Sequence, residues 1–120
     1  VFAAADATAA FPITLRSCTR IEPWPTGRVT LLGDAIHPMT PAAGAGANTA
    51  LRDAARLTQA LATAPDVQRA VDALADYEAE MITYATDVVD RSLRNAEQMF
   101  GLDVPATDVA PAFGPSATRG

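Results

Sequence analysis

Hydrophobic and polar positions along the chain fall into two regimes, short apolar runs broken by turns and then a long helical periodicity. From Ile13 to Ile21 the text ITLRSCTRI begins an alternation with Ile13 and Leu15, which Ser17 interrupts. Its β-branched content still predicts a strand. Pro23, Pro25 and Gly27 then crowd into EPWPTG, a turn signal around Trp24. The run RVTLLG, Arg28 to Gly33, is compact, apolar and bounded by turn residues, which predicts a short buried strand. A loop, DAIHPMTPAAGAG, carries the chain from Asp34 to Gly46. Beyond it Ala50, Leu51, Ala54, Leu57, Ala60 and Leu61 recur mostly at spacings of three and four, a helix beginning near Asn48 or Thr49. Ala64-Pro65-Asp66 ends that helix, and Asp66 is suited to cap the next. Val67, Ala70, Val71, Leu74, Tyr77, Met81, Ile82, Ala85, Val88, Val89 and Ala96 keep helical spacing almost to Phe100, and Gly101 fits a C-terminal cap. Residues 1–11 are alanine-rich and weakly patterned. Residues 102–120 hold three prolines and no periodicity, so a coil tail is expected there. Short strands followed by two helices place the chain in the α/β class.

Composition narrows the function. The chain has 120 residues, the length of one small domain. Its 27 alanines favour helices with thin, close contacts. Net charge is −5 with no basic cluster, which disfavours nucleic-acid binding. One cysteine, Cys18, and one histidine, His37, cannot build an internal disulfide or a Cys/His zinc site. This content suits a reducing cytoplasm. No apolar run approaches the ~18–20 residues of a membrane span, and no secretory leader is visible. The chain begins at Val1 rather than at a methionine, which reads as a start inside a longer protein.

The candidate chemistry lies in Gly27 to Asp53, GRVTLLGDAIHPMTPAAGAGANTALRD. The order is strand, carboxylate, rigid loop, double glycine, helix. A strand ending in Gly33 lets a ligand or another backbone come close. Asp34, just beyond it, can accept hydrogen bonds from sugar or ribityl hydroxyls. Gly44-Ala45-Gly46-Ala47-Asn48 puts small residues at a helix entry, where unpaired N–H groups and the positive end of the helix dipole favour an anion. Phosphate is one such guest. The pyrimidine edge of a reduced flavin, negative at N1 and O2, is another. A dinucleotide fingerprint would place its glycines directly after the strand, as G-x-G-x-x-G. Here ten residues separate Gly33 from Gly44, so this is a second site element without its pyrophosphate-binding partner.

The segment resembles the second FAD-binding motif of the flavoprotein aromatic hydroxylases, the para-hydroxybenzoate hydroxylase-like family. Their pattern runs roughly G-R-V-x-L-x-G-D-A-A-H-x-x-x-P-x-x-G-x-G-x-N-x-A-x-x-D-A. It is matched here at Gly27, Arg28, Val29, Leu31, Gly33, Asp34, Ala35, His37, Pro41, Gly44, Gly46, Asn48, Ala50, Asp53 and Ala54. The departure is Ile36, where alanine is usual. About 28 residues carry the specific match, with weaker similarity over roughly residues 12–100. The resemblance implies the C-terminal fragment of an FAD/NAD(P)-binding Rossmann-like domain. Residues 1–26 would end the substrate-domain region with a strand and turn, 27–101 would be the C-terminal part of the FAD-binding domain, and 102–120 the tail. It implies FAD, NAD(P)H as electron donor, molecular oxygen and an aromatic or polyketide-like substrate that is hydroxylated or epoxidised. The N-terminal flavoprotein half, in the same or another chain, would be the missing partner, and the 120 residues alone would be inactive.

The resemblance also implies roles. Asp34 would bind the ribityl chain, Pro41 would sit beside the isoalloxazine ring, and Gly44 belongs to the same loop. The backbone of Gly46, Ala47 and Asn48 would meet the flavin pyrimidine edge. The redox chemistry would belong to the flavin, with the protein supplying position and dryness, and no side chain here is assigned a catalytic step. His37 is expected in structural packing or a loop hydrogen bond. Arg52 and Asp53 read as solvated or helix-capping charges. Cys18 and Trp24 read as packing residues, and Tyr77, Met81 and Ile82 as a core stripe. Other readings stay open at this stage: a non-catalytic FAD-binding accessory chain, a helical interaction protein, or a flavin-dependent reductase or halogenase.

Overall fold

The computed structural model describes residues 6–101. Two helices stand where the periodicity places them. Helix α1 spans Gly46–Ala62 and helix α2 spans Val67–Phe100. The first begins slightly earlier than its apolar pattern predicts, because Ala45 already has near-helical dihedrals (φ −109°, ψ −11°). The second is 34 residues long, about 50 Å at the α-helical rise. Asp66 caps it, its side chain accepting from the Arg69 N–H at 2.9 Å. Gly101 closes it in the left-handed region at φ 62°, its N–H donating to the Glu97 carbonyl at 2.9 Å.

The short connection through residues 63–66 turns the chain back on itself, so the helices pack antiparallel. The pairing shows the direction. Asp53 meets Tyr84, and farther along α1 Arg56 meets Glu80, one turn back on α2. The C-terminal half of α2 runs on beyond this hairpin and packs against a single 3-10 turn, Pro41–Ala43. Another 3-10 turn, Gly33–Ala35, packs on α1.

The core forms where residues ahead of α1 pack on α2. Ile21 and Ile36 are buried with Tyr77, Met81, Tyr84 and Ala85, and Cys18, Trp24, Leu31, Leu57, Ala60 and Ile82 pack against them. Tyr77 and Met81 of the apolar stripe are fully enclosed, and Trp24 and Cys18 serve as packing residues around them.

The expected α/β class is not what the chain adopts. Among the described residues there is no strand and no sheet, so there is no Rossmann-like layer. The segments 13–21 and 28–33 make no ladder. They are held by individual bonds to different partners: the Cys18 N–H donates to the Pro38 carbonyl at 2.7 Å, the Tyr77 hydroxyl donates to the Leu31 carbonyl at 3.2 Å, and the Gly33 N–H donates to the Asp53 carboxylate at 2.7 Å. Strand structure needs a ladder of bonds between two backbones, and among the described residues neither segment has one. Val29, expected inside a buried strand, is 77% exposed. Gly33, expected to end that strand, instead opens the 3-10 turn at φ 58°. The tail expected over 102–120 lies outside the described residues. No helix among the described residues is long and apolar enough to cross a membrane.

Candidate functional site

An open cleft of about 750 Å³ lies between the Gly33–Ala35 turn, the Pro41–Ala43 turn and the start of α1. Five of the six site residues expected from the sequence line it: Asp34, Pro41, Gly44, Gly46 and Ala47. Asn48 does not. It lies in the first turn of α1, exposed, outside the lining. Leu15, Leu32, Met39 and Ala50 supply apolar wall.

Each polar feature of the cleft follows from local structure. Helix α1 begins without a side-chain cap and without an acidic residue in its first turn. The first backbone bond it closes runs from the Thr49 N–H to the Ala45 carbonyl at 2.9 Å. The N–H groups of Gly46, Ala47 and Asn48 therefore have no intrahelical acceptor, and the positive end of the helix dipole is not neutralised by a side chain. Asp34 stands exposed on the opposite turn as an acceptor. Gly44 adopts φ 59°, a conformation that favours glycine, and its N–H closes the turn on the Pro41 carbonyl at 2.9 Å.

Gly46 has a different reason to lack a side chain. A Cβ there would make only ordinary contact with Met39, at 3.6 Å, so the protein's own packing leaves room for one. A ligand brought against the N–H groups of the first turn would need that room. Backbone donors, a facing carboxylate acceptor and apolar walls fit a planar heterocycle with an anionic edge and a hydroxylated chain, which is the chemistry of FAD.

Behind the cleft is a constellation that sequence reasoning missed. Asp53, expected as a solvated or helix-capping charge, is completely buried and so is His37. One carboxylate oxygen of Asp53 accepts from the Gly33 N–H at 2.7 Å and from His37 Nε2 at 2.6 Å. The other accepts from the Tyr84 hydroxyl at 2.5 Å. Burial, reinforced by that hydrogen bond, pushes the Tyr84 hydroxyl above the usual tyrosine range, so it remains a donor. The Arg52 guanidinium lies over the Tyr84 ring, 3.7 Å from its centroid. The other ring nitrogen of His37, Nδ1, is buried without a protein partner. Asp53 therefore joins α1, α2 and the turn that carries Asp34. The clue in the sequence was its position in the motif. Its burial was hidden, because an aspartate amid exposed helix positions reads as surface.

A second anchor holds the Pro41 turn. The Thr40 and Ser92 hydroxyls lie 2.6 Å apart, the Ser92 hydroxyl is 2.7 Å from the Thr40 carbonyl, and the Thr40 hydroxyl is 3.1 Å from the Ser92 carbonyl. On the next turn of α2, Asn95 Nδ2 donates to the Ala42 carbonyl at 3.3 Å.

Comparison with known proteins agrees with this geometry. The family model described as FAD binding domain matches residues 5–92. The chain is 45% identical over 73 residues to a dual O-methyltransferase/FAD-dependent monooxygenase of Cercospora beticola, covering 61% of this chain and 8% of that protein. It is 42% identical over 74 residues to the aurachin C monooxygenase/isomerase of Stigmatella aurantiaca, covering 62% of this chain and 18% of that one. Identity to the 3-amino-4-hydroxybenzoate 2-monooxygenase of Streptomyces platensis is 35% over 116 residues, 97% of this chain and 28% of that one. The chain thus spans under a third of the length of each of these relatives. No solved structure matches. With the family model covering most of its length, the chain belongs to the FAD-binding-domain family.

Proposed function

We propose that this chain is the flavin-facing part of an FAD-dependent monooxygenase that uses NAD(P)H and molecular oxygen to hydroxylate or epoxidise an aromatic or polyketide-like small molecule. The observation that carries the reading is the convergence of Asp34, Pro41, Gly44 and the uncapped start of α1 on one cleft, in a chain of this family. The names of the relatives support the reaction class, since each is a monooxygenase. Bound FAD supplies the redox chemistry. The chain's own residues bind and orient it. Asp34 accepts from the ribityl hydroxyls, and the N–H groups of Gly46, Ala47 and Asn48 face the negative pyrimidine edge. Pro41 gives the ring a rigid apolar neighbour, and Leu15, Leu32 and Met39 exclude water beside it. The pyrophosphate-binding unit comes from sequence beyond these residues, in the same chain or a partner.

The test is made on the complete flavoprotein. It should purify yellow, and an aromatic substrate should stimulate NAD(P)H oxidation with incorporation of one oxygen atom from O2 into product. Oxidation of NAD(P)H that yields a reduced or halogenated product and no labelled oxygen would replace the monooxygenase reading with a reductase or halogenase. Absence of any flavin, bound or titratable, would remove the cofactor site itself.

A further inference from the structure

Pro41 has no N–H, so nothing can fix it directly through a backbone donor. The structure fixes it from both sides instead. The carbonyls of Thr40 and Ala42, flanking Pro41, accept from Ser92 and Asn95, two side chains three residues apart on one face of α2. The bonds to Thr40 are closed to water. Thr40 is 9% exposed and Ser92 is fully buried.

The proton inventory of this contact is self-consistent. Two hydroxyls carry two protons. The Ser92 proton goes to the Thr40 carbonyl, and the Thr40 proton is shared between the Ser92 hydroxyl and carbonyl oxygens. A serine inside a helix ordinarily bonds back to a carbonyl of its own helix. Here both groups are spent on a residue 52 positions away. We infer that Ser92 and Asn95 are positioning residues. They set where the Pro41–Gly44 turn stands on the cleft, so that α2, which contributes no lining residue, determines how the flavin ring is held. The assignment rests on the cleft being the flavin site.

The test uses the complete flavoprotein. Thr40→Val keeps shape and removes a hydroxyl, Ser92→Ala removes the other, and Asn95→Ala removes the flanking donor. Val89→Ala, on the same helix and equally buried, serves as a packing control. Ser92→Ala should weaken FAD binding about tenfold and shift the visible flavin spectrum, with Thr40→Val and Asn95→Ala moving both in the same direction. Thr40→Ser should restore the wild-type spectrum. Val89→Ala should lower Tm with FAD affinity and spectrum unchanged. If Ser92→Ala and Thr40→Val lower Tm as the control does but leave Kd and spectrum at wild-type values, the clamp is packing alone and the inference fails. A readout independent of flavin separates this from failure of the functional reading. In the flavin-free protein, Ser92→Ala should speed hydrogen exchange at the Gly44 N–H, which bonds to the Pro41 carbonyl, by about tenfold. Wild-type protein that binds no flavin would defeat the site reading. Unchanged Gly44 exchange would defeat the clamp whether flavin binds or not.

Discussion

Asp34 and Asp53 carry the same side chain and face opposite demands. Asp34 is exposed at the cleft and makes no internal hydrogen bond among the described residues, whereas Asp53 is sealed and receives three donors. Their substitutions should separate cleanly. Asp53→Ala strands the Gly33 N–H, the His37 ring and the Tyr84 hydroxyl, and should cost about 3 kcal/mol or more in urea unfolding of the protein. Asp34→Ala should leave unfolding within about 0.5 kcal/mol of wild type, as an exposed site does. In the complete flavoprotein Asp34→Ala should nevertheless lower FAD affinity by about 1.5–3 kcal/mol, with Asp34→Asn costing less. His37→Ala should behave like a milder Asp53→Ala, losing stability before it loses flavin. Full flavin retention by Asp34→Ala would remove the ribityl role. At this scale the sequence pointed to residues that the structure gathers on one cleft, Asp34, Gly44 and Gly46 among them. These three could be read from their spacing. The Asp53 network was not legible, because its partners Gly33, His37 and Tyr84 come together only when three elements pack, and no local pattern encodes that.

Among elements, helices were legible and strands were not, for a physical reason. A helix closes its hydrogen bonds within its own sequence, so spacing, the Asp66 cap and the Gly101 terminator specify α2 nearly to the residue. The runs at 13–21 and 28–33 show only that their residues are apolar and β-branched. The partner backbone that would make them strands is not in their text. At Gly33 the two levels meet. The residue reads as a strand terminus but serves as the start of a turn, at φ 58° and with the Ala50 Cβ only 3.2 Å from where its own Cβ would stand. Gly33→Ala should therefore cost about 1–3 kcal/mol through backbone conformation and crowding against α1. Chemical denaturation measures it. A loss below about 0.5 kcal/mol would mean that the turn relaxes freely, and that α1 does not depend on its contact there.

At the scale of the whole molecule, the buried acids make the fold sensitive to alkali. Burial pushes the Cys18 thiol up from 9.0 to about 11, and burial likewise raises the Tyr77 and Tyr84 hydroxyls above their ordinary 10.0. All three are held in their neutral forms, so above pH 9 the folded chain keeps protons that the unfolded chain releases. Stability from these groups is complete below about pH 9 and falls as the pH rises through the folded values. Urea midpoints should hold from pH 8 to about 9 and decline from there to pH 11. A flat profile would show that the three groups are solvated. The same burial should make Cys18 react with a thiol reagent at pH 8 roughly a hundredfold more slowly than an open thiol.

Helix α2 has one further property that substitution experiments do not reach. Tyr84, through Asp53, holds the turn that carries Asp34, while Ser92 holds the turn that carries Pro41. The two walls of the cleft are thus read off a single rod at marks eight residues apart. Changing a residue between the marks alters packing. Changing the number of residues alters phase: one inserted alanine after Asp87 would rotate everything downstream by about 100° and advance it by about 1.5 Å. Ser92 would then leave Thr40 while every contact of α1 and the first half of α2 stayed in place. Deep insertion and deletion scanning, scored for flavin retention, should show the stretch 85–91 as intolerant of any change in length. Most substitutions at its exposed positions, such as Asp87 and Arg91, should pass.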